Sequence, residues 1–144
     1  MPNCDLHRPV GAILGFGASL GLALHAGSTH PLLEALGGAA GGWIGGALPD
    51  WIDPPDSPRH RGFGHGIFTA GIGLTISVVK LRAWQTWLRS RAYQAQEHAN
   101  AEGWLWALKA PLYHILAGLI AGLISGYICH LADDSQTPSG LPVF

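Results

Sequence analysis

The chain has 144 residues, about the length of one domain. Only 12% of the residues are charged, about half the share of an ordinary soluble domain, and 48% are apolar, which excludes a disordered chain. The net charge of −1 argues against a nucleic-acid binder with a basic surface, and two cysteines are too few for a disulfide scaffold.

Four stretches of the chain contain no charged residue. They lie between Arg8 and Glu34, Glu34 and Asp50, Arg61 and Lys80, and Lys109 and Asp133. A helix needs about 20 apolar residues to cross a bilayer, whereas a soluble bundle helix carries a charged outer face. We therefore predict an all-α, polytopic membrane protein forming one domain over residues 1–144. Its four membrane-embedded helices are expected near 9–26, 31–49, 64–83 and 110–132, and a buried soluble core is the alternative.

Glycine recurs at four-residue spacing within these predicted helices. The last helix has Gly118, Gly122 and Gly126 in one row. In lipid, rows of small residues let helix backbones approach closely and pack by dispersion. Such faces serve packing within one chain, and they also allow an oligomer to form through them.

Residues 80–109 have a different composition. They include four of the six tryptophans and five of the eight basic residues, a combination typical of the membrane interface. We predict that the third helix runs out into this stretch and turns near 100–103. A partly amphipathic segment then returns to Pro111, so that 80–109 is an interfacial amphipathic segment.

An even number of crossings would bring several potential metal ligands to one side of the bilayer, which we call face A. These ligands are His7, Asp50, Asp53, His60, His65, His130 and Asp134. Imidazoles mixed with carboxylates suit a divalent cation such as zinc or manganese. The spacing of His130 and Asp134 places both on one helix face. The sequence therefore predicts one or two divalent metal ions at face A.

Three ordered motifs resemble those of a known family. They are Leu48-Pro49-Asp50-Trp51-Ile52-Asp53, then His60-Arg61-Gly62-Phe63-Gly64-His65, then Gly126-Tyr127-Ile128-Cys129-His130 with Asp134 to Gly140. These resemble the YdjM-like family of LexA-regulated, membrane-bound, predicted metal-dependent hydrolases, whose motifs read LPDxD, HRGxTHS and GYxxHxxxDxxTPxG. Gly64 and Gly66 stand where the family has Thr and Ser. A more distant similarity to helical zinc-dependent phospholipases C suggests a phosphoester substrate.

The resemblance implies a hydrolase of the bacterial inner membrane that acts through metal-activated water at the headgroup level. On this hypothesis His65, His130, Asp50 and Asp134 hold the metal, and His7, Asp53 and His60 add ligands or hold a second ion. The general base would be a carboxylate not bound to the metal, Asp53 or Asp133. Arg61 would hold a phosphate or carboxylate, and Arg59 is the second candidate for this role. Thr137 is a further substrate-binding candidate, and its alternative role is to form a turn beside Pro138. The substrate would be a lipid or another amphiphile.

Two other functions remain open from the sequence. One is a small non-enzymatic membrane protein of the holin or channel type, and the other is a structural subunit in which a metal only ties helix ends together. A pore would distribute polar groups through its spans instead of gathering them at one face. Five basic residues against three favour the opposite side, face B, as cytoplasmic, so that face A would point outward.

Overall fold

The computed structural model describes residues 4–52 and 67–136, and this part of the chain is almost entirely helical. The helices are α1 (Cys4–His25), α2 (Pro31–Gly45), α3 (Leu48–Ile52), α4 (Ile67–Glu102) and α5 (Trp104–Ser135). The described ranges contain no strand. The all-α prediction is therefore confirmed.

Helix α2 is the centre of the packing. It lies against both α1 and α5, and α1 also contacts α5. Within the described residues, the backbone of α4 lies close to α5 but not to the other helices, and the Arg89 side chain of α4 reaches Glu34 in α2. The molecule is thus a three-helix core of α1, α2 and α5, with α4 on the outside of α5.

The three core helices touch through their backbones. A Cβ added to Gly42 would overlap the carbonyl of Gly11 in α1, and one added to Gly41 would overlap the carbonyl of Leu119 in α5. The same kind of overlap would occur at Gly15, Gly37, Gly38, Gly45, Gly118, Gly122 and Gly126. The rows of glycine predicted to be packing faces are therefore the contact surfaces of α2 with its two neighbours.

Small residues fill the interior, and large apolar residues cover the outside. Of the eleven buried apolar residues among the described side chains, eight are alanines. The exposed side chains include Ile13 of α1, Leu36 of α2, Val79 of α4 and Leu112 of α5. A soluble protein of this size rarely exposes apolar surface so widely, whereas a helical membrane protein does.

The helix predicted over 31–49 is divided by the structure into α2 and α3. The break falls at Gly46 and Ala47, where the Ala47 N–H donates to the carbonyl of Ile44 in a tight turn. Pro49 has no N–H, so it cannot continue the helical hydrogen bonds of α2. As a result α3 is a separate short helix that carries Asp50.

Helices α4 and α5 form a long antiparallel hairpin. Gly103 joins them with a φ of 105°, a left-handed conformation that favours glycine. Their 36 and 32 residues correspond to about 54 and 48 Å, so the hairpin extends past the ends of α1 and α2. Residues 80–109 are therefore the two arms and the tip of this hairpin, and the turn lies where the sequence placed it.

Of the described helices, α5 alone is long and apolar enough to cross a membrane. Helix α2 has only 15 residues, about 22 Å. Residues 67–83 of the predicted span 64–83 form the first part of α4, which continues to Glu102 without a break, and residues 64–66 lie outside the described residues.

The backbone contacts make a direct prediction about stability. Replacing Gly118 by Ala should destabilise the fold by about 3 kcal/mol, because the new methyl group would overlap the backbone carbonyl of Glu34. Gly21→Ala in α1 is the matched control, since nothing lies within 4 Å of a Cβ there. Reversible unfolding in mixed micelles measures both variants. Equal stability of the two variants would contradict the observed helix contact.

Candidate metal centre

Three described helices bring imidazole and carboxylate groups together at one end of the three-helix core, and this end of the core keeps the name face A. His7 lies near the start of α1, Asp50 lies in α3, and His130, Asp133 and Asp134 lie in the last turns of α5. The α5 residues share one region because positions four apart are neighbours on a helix. The cluster depends on α2, since Gly46 at its end contacts both α1 and α5.

His130 is the central member of the cluster and is 1% exposed. Its Nδ1 lies 2.7 Å from the carbonyl oxygen of Gly46, so Nδ1–H donates to that oxygen. This bond holds the ring in one orientation and directs Nε2 towards the carboxylates. Nε2 lies 3.5 Å from Asp134 Oδ2 and 3.6 Å from Asp50 Oδ1. A hydrogen bond from the other ring nitrogen to a carbonyl is the usual support of a metal-ligating histidine.

His7 packs directly against His130. The ring centroids are 4.2 Å apart, and His7 is also buried. Its Nδ1 lies 3.2 Å from Asp133 Oδ2 but makes no hydrogen bond of good geometry. Buried polar atoms are rarely left without a partner, so this nitrogen points to a ligand.

The spacing of these groups suits a divalent cation. His7, His130 and Asp134 are all buried, and each offers one ligand atom within 4.8 Å of the others. Two ligand atoms about 2.1 Å from a tetrahedral zinc ion are about 3.4 Å apart, close to the separations of Nε2 from Asp50 and Asp134. The cluster can therefore hold a metal ion.

The structure brings together five of the residues predicted for the site. They are His7, Asp50, His130 and Asp134 as metal-ligand candidates and Asp133 as a catalytic candidate. Asp133 is largely exposed beside His7, which leaves one edge of the cluster open. The other predicted site residues, Asp53, Arg59, His60, Arg61, His65 and Thr137, lie outside the described residues.

A second polar cluster lies at the opposite end of the core, and this end keeps the name face B. Arg89 of α4 donates to both carboxylate oxygens of Glu34 in α2, with the shortest distance 2.7 Å. The same carboxylate is within 3.1 Å of His114 Nδ1 and accepts a hydrogen bond from the Ser28 hydroxyl at 2.5 Å. Glu34 is fully buried. Its charge is therefore compensated from three sides.

Sequence reasoning missed two features of these clusters. The first is the Gly46 carbonyl, because a backbone acceptor carries no residue signature. The second is the pairing of Arg89 with Glu34, whose only signal was one acidic residue in the run from 9 to 49. His114 and His130 are 16 positions apart on α5, about 24 Å, so they belong to separate clusters.

Comparison of the chain with protein-family models, curated proteins and solved structures found no match. The resemblance to the YdjM-like family therefore stays a prediction from the motifs.

Metal binding can be tested on a matched pair of α1 histidines. His7→Ala should weaken zinc binding by more than about 100-fold, since losing even a supporting partner of a ligand costs about 10–100-fold. His25→Ala, at the other end of the same helix, should bind as the unaltered protein does. Calorimetric titration of the detergent-solubilised, chelator-treated protein with zinc and manganese gives both affinities. If His7→Ala and His25→Ala bind equally, the cluster is not a metal site.

Proposed function

We propose that the protein is a membrane-bound, metal-dependent hydrolase of the YdjM-like type, acting on a phosphoester-containing amphiphile at face A. The observation that carries this proposal is the buried His7–His130–Asp134 group with its open edge at Asp133. Catalytic metal sites differ from structural ones in keeping a position open to substrate.

The roles of the described residues follow from their positions. His7, His130, Asp134 and Asp50 would hold the ion, and the Gly46 carbonyl would hold the His130 ring in its orientation. A divalent cation in such a site supplies Lewis acidity and lowers the pKa of water. Asp133 is exposed beside His7 and is the described carboxylate best placed to accept a proton.

The proposal keeps the predicted roles of residues outside the described ranges. Arg61 and Arg59 would bind the phosphate, and His65, His60 and Asp53 would complete the ligand set or hold a second ion. Thr137 would contact the substrate or a ligand carboxylate.

An apolar groove leads away from this cluster. It runs between α1 and α5, has a volume of about 970 Å³ and includes Asp133 in its lining. Val10, Leu14 and Ile128 line its apolar length. A hydrocarbon chain lying in this groove would present its polar end at Asp133, next to His7. The groove therefore supports a substrate with a long apolar chain.

The large apolar residues on the outside support insertion into a bilayer. Helix α5 meets the requirement for a span by itself, and we propose that α1, α2 with α3, and α4 make the other three crossings. Lys80 and Arg82 are exposed on α4 between the levels of the two polar clusters. In this arrangement their long stems would have to reach the headgroups by snorkelling.

Two alternative functions assign different roles to the same residues. A purely structural metal would bind His7, Asp50 and His130 and tie three helix ends together, without hydrolysis. A pore or holin is disfavoured because backbone contact of α2 with α1 and α5 leaves no polar lumen between these helices.

The membrane arrangement is tested by cysteine labelling in a background without Cys4 and Cys129. Cysteines placed at Ile13 and Val79, which are exposed on the protein surface, should resist a water-soluble maleimide in intact membranes because lipid covers them. A cysteine at Trp104, at the hairpin tip, should react rapidly. Labelling at Val79 as fast as at Trp104 would exclude α4 as a span.

Hydrolysis is tested with p-nitrophenyl phosphodiesters that carry alkyl chains of increasing length. With metal present, KM should fall about fourfold for each methylene added, since burying one contributes about 0.8 kcal/mol. Gly17→Phe should fill the groove and abolish this dependence, while Gly21→Phe, outside the groove, should preserve it. His130→Ala should remove activity. Metal binding without hydrolysis of any of these esters would favour the structural alternative.

A further inference from the structure

A second pocket lies between the arms of the α4–α5 hairpin, away from the candidate metal centre. It has a volume of about 190 Å³. Helix α4 contributes Arg91, Gln94, Ala95 and His98, and α5 contributes Trp106, Lys109 and Tyr113. Each set follows helical spacing, so the pocket is formed by two facing helix stripes instead of by loops.

The lining of this pocket is basic. Arg91 and Lys109 carry full positive charges, His98 adds an imidazole, and none of the described side chains that line the pocket is a carboxylate. Arg89, two residues before Arg91, is already paired with Glu34, whereas Arg91 and Lys109 form no ion pair with any described residue. Arg91 instead donates to Gln94 Oε1 at 3.2 Å. Among the described side chains, the pocket therefore brings together two cations, Arg91 and Lys109, that are not paired with a carboxylate.

Aromatic contacts hold the basic groups in place. Lys109 Nζ lies 3.6 Å from the ring centroid of Trp106, a cation–π distance. His98 stacks on Trp106 with centroids 4.8 Å apart. An ordered pair of cationic and imidazole groups around one indole loses less side-chain entropy when an anion binds.

The depth of the pocket matches that of lipid headgroups. Arg91 and His98 lie two and nine residues beyond Arg89, so the pocket covers about 3 to 14 Å outward from the Glu34 cluster. The headgroup region adds about 5 to 8 Å to each side of the hydrocarbon core. Basic pockets between helices at this level are known to bind phosphate-bearing lipid headgroups.

We infer that this pocket is a binding site for a phosphate ester, with Lys109 and Arg91 as its charged ligands and Trp106 as its wall. A lipid headgroup can supply the phosphate only if the protein has the membrane location proposed above. The inference does not depend on the metal centre. The phosphate could be carried by an anionic lipid or by a soluble molecule, and both have the same chemistry.

The test uses the whole protein in neutral detergent, with lipid binding measured by native mass spectrometry. Phosphatidylglycerol should bind in a defined stoichiometry, and Arg91→Gln with Lys109→Gln should weaken that binding about 30-fold, as expected for two lost cations. Lys80→Gln with Arg82→Gln removes the same charge from α4 outside the pocket and should leave the affinity within about twofold of the original.

Competition identifies the source of the phosphate. Inorganic phosphate and glycerol phosphate are added in excess to the phosphatidylglycerol complex. Displacement by either one supports a soluble phosphate ligand, and retention of the lipid supports a headgroup site. Equal weakening in the two charge variants, or no saturable binding of lipid or phosphate, would overturn the inference. Neither outcome affects the metal titration, so failure here is distinguishable from failure of the proposed enzyme.

Discussion

Backbone contact between α2 and its two neighbours is the constraint on which the rest of the structure depends. Glycine costs up to about 1 kcal/mol relative to alanine in a helix, and this chain accepts that cost at many positions. In exchange, the helix backbones approach each other so closely that no Cβ fits at Gly42 or Gly118. At this separation the Gly46 carbonyl reaches His130, and the His7 ring packs on the same imidazole. The candidate site is thus a consequence of how the helices pack.

The two polar clusters differ in how completely they are satisfied. At face B, the Glu34 carboxylate receives Arg89, His114 and Ser28, so its burial is compensated by hydrogen bonds. At face A, the buried His7 Nδ1 has no hydrogen bond, and His130 turns Nε2 towards two carboxylates. A saturated network fixes the position of one helix against another. A cation-binding site instead requires imidazole and carboxylate groups whose hydrogen-bonding capacity is not fully used within the protein.

The sequence predicted those parts of the fold and site that depend on local spacing. Uncharged stretches indicated helices, and the four-residue interval predicted that His130 and Asp134 share a face. That these two residues lie near His7 was predicted by counting the expected membrane crossings between them. The break between α2 and α3 was missed, although Pro49 was its signal. The Arg89–Glu34 pair joins residues 55 positions apart, and its register depends on which glycines contact which carbonyls. Composition and periodicity carry no information about that register.

The length of α5 between the two clusters bears on how the protein would lie in a bilayer under the proposed membrane arrangement. His114 and His130 are about 24 Å apart along the helix, whereas a typical hydrocarbon core is about 30 Å thick. Helix α2 is shorter still, about 22 Å. The core would therefore span less than the full apolar layer, and the bilayer would have to thin around it. Thinning would bring Lys80 nearer to the headgroups and would place the His7–His130 cluster at the level from which the proposed phosphoester substrate would enter.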